Sequence, residues 1–101
     1  MTREERLTAY LRTACYGRRN IISGTALERA VGLSGTDLRK LVNHLRRKGV
    51  PIASSRTGYC YAATAGEVYS TIRQLRQMAD GLEKAIAGLE RALERFGEAG
   101  P

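Results

Sequence analysis

The chain reads as a mainly α fold with a small β-hairpin, ending in a long C-terminal coiled-coil helix. Three observations predict this. A Thr or Ser stands three residues before a Glu or Asp at Thr2–Glu5, Ser34–Asp37 and Thr64–Glu67, the spacing at which side chain and backbone N–H groups satisfy one another at a helix start. Residues 50–62 alternate β-favouring and small residues around a turn that contains Gly58, as a hairpin does. From Val68 to Phe96 apolar residues recur at alternating spacings of four and three without a break, which is a heptad repeat.

Each element follows from its own residues. Thr2 caps a first helix over 3–15, on which Leu7, Tyr10, Leu11 and Ala14 return at helical intervals. Gly17-Arg18-Arg19-Asn20 interrupts it, and Ile21-Ile22 forms either a very short strand or a hydrophobic anchor. Ser23 caps a two-turn helix with Ala26, Leu27, Ala30 and Val31 on one side, and Gly32 offers the left-handed residue that ends it. After Leu33, Ser34 opens a third helix whose inward stripe is Leu38, Leu41, Val42 and Leu45, closed by Gly49. Pro51 confines Val50–Ser54 to a sheet edge or a strand's first residues. Ser55-Arg56-Thr57-Gly58 is a turn, and Tyr59–Ala62 is the second strand, with Cys60 on the face opposite Tyr59 and Tyr61. Thr64 then opens the long helix.

The chain has 101 residues, a net charge of +7 and a pI near 10, a size for one compact domain plus an appendage and a charge that favours a polyanionic partner. Nucleic acid leads, ahead of an anionic membrane surface. The charge is unevenly placed: residues 1–64 hold twelve Lys and Arg against four Asp and Glu, residues 65–101 five against six. The boundary therefore falls near Ala63 and Thr64, giving a basic binding domain over 1–64, a helix over 65–96 and a frayed tail over 97–101. One His and two widely separated Cys, Cys15 and Cys60, argue against a metal site. No set of nucleophile, base and orienting residue is visible, so neither an enzyme nor a cofactor is expected. Both cysteines read as small buried hydrophobes with free thiols, which fits a cytoplasmic location, and no stretch is apolar enough to span a membrane.

Two short helices separated by Gly32-Leu33-Ser34, the second longer and more basic, have the spacing of a helix-turn-helix. With the apolar stripe turned inward, Thr36, Lys40, Asn43 and Arg47 occupy the opposite face, flanked by Arg39 and His44. These are donors and mixed donor-acceptors with no carboxylate at their centre. Arg and Lys pair with guanine and Asn with adenine in the major groove of duplex DNA, and the same cations hold phosphates. A solvated basic face with no reading role is the plainer alternative.

The run Leu27-Glu28-Arg29-Ala30-Val31-Gly32-Leu33-Ser34, then Leu38, Val42, Leu45-Arg46, Gly49-Val50-Pro51-Ile52 and Gly58-Tyr59-Cys60-Tyr61, resembles the winged helix-turn-helix module of the biotin operon repressor type. The resemblance covers residues 4–64, with Tyr61 where that family usually has Leu. It implies a recognition helix over 35–48 in the major groove and a wing around Arg56 at the adjacent backbone or minor groove. Arg18, Arg19 and Ser34 are further candidates for backbone contacts. Residues 65–101 are too few for a ligase domain, so the resemblance does not imply that repressor's ligand or enzyme activity.

Along the helix, Ile72, Ala79, Ile86 and Leu93 fall at a, and Val68, Leu75, Leu82, Leu89 and Phe96 at d. A rod of roughly thirty residues is about 45 Å long, more than a 60-residue domain can cover, so its stripe predicts a homodimer. Gly81, Ala85, Gly88 and Ala92 make a small-residue stripe beside the seam that allows an antiparallel pair or a tetrameric bundle, while Ile at a with Leu at d favours a parallel dimer. Together these readings point to a small dimeric DNA-binding regulator of bacterial or phage type. The alternative is an assembly or adaptor protein whose winged domain binds protein.

Overall fold

Glu5 N donates to Thr2 Oγ1 (3.1 Å) and Thr2 N to Glu5 Oε1 (3.0 Å), and from this reciprocal cap α1 (Arg3–Ala14) begins. The structure, a computed structural model, describes residues 1–97. A short 3-10 turn (Arg18–Asn20) leads to α2 (Gly24–Val31), α3 (Gly35–Arg47), β1 (Ile52–Ser55), β2 (Gly58–Tyr61) and α4 (Ala65–Glu94). The chain is thus mainly helical, with a small antiparallel hairpin and a long C-terminal helix.

The caps explain why α2 and α3 stay separate. Ser23 Oγ accepts from Ala26 N (3.1 Å), Gly32 ends α2 at φ 68°, and Ser34 Oγ accepts from Asp37 N (3.2 Å). A residue with a Cβ is disfavoured at that left-handed angle, so the turn from α2 into α3 takes only Gly32, Leu33 and Ser34. The predicted capping box at Ser34 is half formed: its hydroxyl caps α3, while the Asp37 carboxylate lies 3.9 Å from Arg3 Nη2 of α1. Leu7 and Leu11 of α1, Leu27 and Val31 of α2, Leu38, Val42 and Leu45 of α3 and Ile52 of β1 form the main core, with Leu33 and Cys15.

β1 and β2 pair antiparallel in the register Ile52↔Tyr61 to Ser55↔Gly58, leaving Arg56 and Thr57 as a two-residue loop. Ser55 Oγ closes it by accepting from Thr57 N (3.2 Å). The Ile21-Ile22 segment settles as a single antiparallel bridge, Ile22 N to Tyr59 O (2.9 Å) and Tyr59 N to Ile22 O (2.8 Å). Gly58 faces that bridge, and a Cβ on it would stand 1.8 Å from Ile22 O. Cys60 points inward between half-exposed Tyr59 and Tyr61, as the alternation predicts.

The chain divides into two compact units, the first Met1–Thr71 and the second from Ile72 onward. The first extends two helical turns past the expected boundary. Val68, expected in the dimer seam, instead packs with Ile21 against a second core of Ala53, Cys60 and Ala62. The cause lies one turn on: buried Thr71 accepts from Ser54 N (3.1 Å) and donates to Glu67 O (3.2 Å) through Oγ1.

In the second unit the helix runs unbroken to Glu94, and Ile72, Leu75, Leu82, Ile86, Leu89 and Leu93 are all exposed. Phe96, expected in the seam, lies beyond the helix in a closing turn made by Arg95 N to Ala92 O (3.1 Å), Phe96 N to Leu93 O (3.0 Å) and Gly97 N to Glu94 O (3.2 Å). Gly97 is therefore held, and residues 98–101 of the expected frayed tail lie outside the described residues. Among the described residues no helix is long and apolar enough to cross a membrane.

Candidate nucleic-acid interface

α3 is fully committed on one side and open on the other. Leu38, Val42 and Leu45 are at most 3 % exposed, while Thr36, Arg39, Lys40, Asn43 and Arg47 are all exposed. Thr36, Lys40, Asn43 and Arg47 follow one another at steps of four, three and four along one strip, and Arg39 flanks it, three residues from Thr36 and four from Asn43. Among the described residues none of the ion pairs involves Arg39, Lys40 or Arg47. The strip offers three cations, an amide that donates and accepts, and a hydroxyl, with no carboxylate between them.

His44 is the exception within the predicted set. Its Nε2 lies 2.7 Å from Glu4 Oε1 on α1, and Lys48 Nζ lies 3.0 Å from Glu4 Oε2. His44 is half-buried there, and its ring, at the flank of the open strip, is engaged with Glu4 in tying α1 to the end of α3. The Lys48 hydrogen bond, joined by the charges of Lys48 and His44, holds the Glu4 carboxyl below the usual carboxylate range.

Sequence reasoning missed Arg46. This half-buried side chain donates from Nε to Ile52 O (2.9 Å) and from Nη2 to Ser54 Oγ (3.0 Å), and burial pulls its pKa down. The guanidinium fork thus fastens the last turn of α3 to β1, so the hairpin's position relative to the strip is set by a rigid side-chain strut. Its placement between the apolar stripe and the exposed strip was the one signal available.

Of the other predicted contacts, Ser34 remains exposed while its hydroxyl serves the cap. Arg18 and Arg19 are exposed on the 3-10 turn, which the hairpin and the start of α4 hold in place. Gly17 N donates to Tyr61 O (2.7 Å), and Glu67 accepts from Arg18 N (3.3 Å) and Ala63 N (2.9 Å). Those two backbone N–H groups, with the Arg18 charge, lower the Glu67 pKa. Glu67 therefore departs from the predicted capping box: Thr64 Oγ1 accepts from Glu67 N (3.2 Å), but the carboxylate is spent on Ala63 and Arg18.

Arg56 stands exposed at the tip of the two-residue loop. A cation so placed contributes little to the fold, so Arg56→Ala should leave stability within about 0.5 kcal/mol. If the wing meets a phosphate, the variant should also flatten the salt dependence of duplex binding by a slope of about one. Titrations at several salt concentrations measure this; unchanged slope and affinity would separate the hairpin from the interface.

Both cysteines are free and buried, and burial pushes their thiols up, leaving them little thiolate. Among the described residues no group of three or more His, Cys, Asp and Glu gathers closely enough to hold a metal ion. No family model, curated protein or solved structure matches the chain.

Proposed function

We propose that this chain binds double-stranded DNA sequence-specifically through a winged helix-turn-helix in its first unit, as a homodimeric transcriptional regulator of bacterial or phage type working in the cytoplasm. The observation that carries the reading is the strip on α3: five exposed polar side chains, none of them acidic, on a helix whose other side is locked into the core. A helix held this way is presented as a rigid body, which direct readout requires. The tight α2–α3 turn and the hairpin after α3 support it, and so does the excess of positive charge in residues 1–64. The dimer rests on the exposed apolar stripe of Ile72–Leu93. One winged module makes a small interface, and two tethered modules reach a two-part site with far higher apparent affinity.

Selection of bound fragments from random duplex DNA by the purified protein tests this directly, with one enriched motif as the expected result. On that motif Asn43→Ala should lose about 1–3 kcal/mol of discrimination at particular base pairs, with folding untouched. Equal loss on every sequence would make Asn43 a backbone contact. Failure to enrich any motif, together with early elution from heparin, would point to a protein-binding role instead.

A further inference from the structure

We infer that the partner of the second unit is a second copy of the same helix lying antiparallel to it, with Arg76 of each copy against Glu90 of the other. This rests on the dimer reading above and adds its orientation and register.

Helix continuity through Ile72–Leu93 lets each residue be placed on the heptad, and the flanks of the seam then decide the orientation. The e positions are Arg76, Glu83 and Glu90, and the g positions Thr71, Met78, Ala85 and Ala92. In a parallel pair g of one helix faces the next e of the other, which sets Thr71 against Arg76, Met78 against Glu83 and Ala85 against Glu90. No opposite charges meet. In an antiparallel pair e faces e and g faces g. Centring the pair on residue 84 then brings Arg76 to Glu90 twice, with one like pair, Glu83 with Glu83, at the two-fold axis. The g flank becomes wholly apolar, Met78 against Ala92 and Ala85 against itself, which suits a contact shielded from water.

Packing points the same way. A parallel pair stacks Ala79 on Ala79 and leaves a gap between Leu-sized layers, whereas the antiparallel pair sets Ala79 opposite Leu89 and Leu82 opposite Ile86, so that no layer holds two alanines. The Ile-at-a preference for parallel dimers acts at only two of the four a positions, Ile72 and Ile86. Shifting the antiparallel pair by one heptad would pair Arg76 with Glu83, but it lays Leu93 over Val68, which is already packed in the first unit's core.

Two measurements on the full-length protein test this. Spin labels on Arg73→Cys, with the buried native thiols unreactive, should lie about 33 Å apart along the coil axis in the antiparallel dimer and side by side in a parallel one. Arg76→Glu should raise the dimer dissociation constant roughly tenfold at low salt, and adding Glu90→Arg should restore it. Short label distances in a dimer would overturn the orientation. Restoration by Glu83→Arg in place of Glu90→Arg would overturn the register. A four-chain particle would overturn the two-helix pairing, and a wild-type chain that sediments as a monomer would overturn the dimer itself.

Discussion

Placing Asp at both Leu82 and Ile86 is expected to yield a monomer that keeps a folded first unit and binds a two-half-site duplex no better than a single half-site. Both residues are exposed in the isolated chain, at 67 % and 51 %, so the carboxylates cost the monomer little. In a dimer they occupy adjacent central layers of the seam, where an ionised group without a partner costs several kcal/mol. Losing the tether removes the effective concentration at the second half-site, a factor of about 10² to 10⁴ in apparent affinity. Sedimentation and paired titrations on one- and two-half-site duplexes measure it. A double variant that still sediments as the wild type does would show that Leu82 and Ile86 are not in the dimer contact.

Gly58→Ala is the second large effect, and it strikes the other unit. The added Cβ would fall 1.8 Å from Ile22 O and 2.9 Å from Ser23 Cα, both backbone atoms that no rotamer change can move. Gly58 also sits at φ 147°, which disfavours a side chain. Relief requires pulling β2 away from Ile22 and breaking the two Ile22–Tyr59 hydrogen bonds, so the expected destabilisation is about 3–5 kcal/mol. Chemical denaturation followed by tyrosine fluorescence would register it. A loss below about 1 kcal/mol would mean the bridge is dispensable.

What was legible in the chain was what neighbours in sequence dictate. Thr2, Ser23, Ser34 and Thr64 cap the helices they were expected to cap, and Gly32 ends α2, because caps are contacts across two or three residues. Leu38, Val42 and Leu45 went inward because a helix's period fixes its faces. What the sequence did not show were side-chain contacts whose partners lie far along the chain. His44 reaches Glu4 forty residues back, Glu67 reaches Arg18 forty-nine back, and Thr71 reaches Ser54 seventeen back. Arg46 shows the same limit at short range, since its partners Ile52 and Ser54 come within reach only after the chain reverses at Gly49. Charge counting drew the domain boundary at 63–64, while the hydrogen bonds of Glu67 and Thr71 put it at 71–72.

That last displacement has a dynamic consequence. α4 is continuous in backbone, but its first two turns are hydrogen-bonded into the first unit's core and would open with it, whereas among the described residues the turns after Thr71 have no core of their own. Most of a helix's stability in water comes from packing an apolar face, and Gly81 and Gly88 each weaken this stretch by about 1 kcal/mol. Its amides would therefore be protected only to the extent that association supplies a partner, so that protection there rises with protein concentration while protection before Thr71 does not. One helix would carry two clocks, one set by folding and the other by assembly.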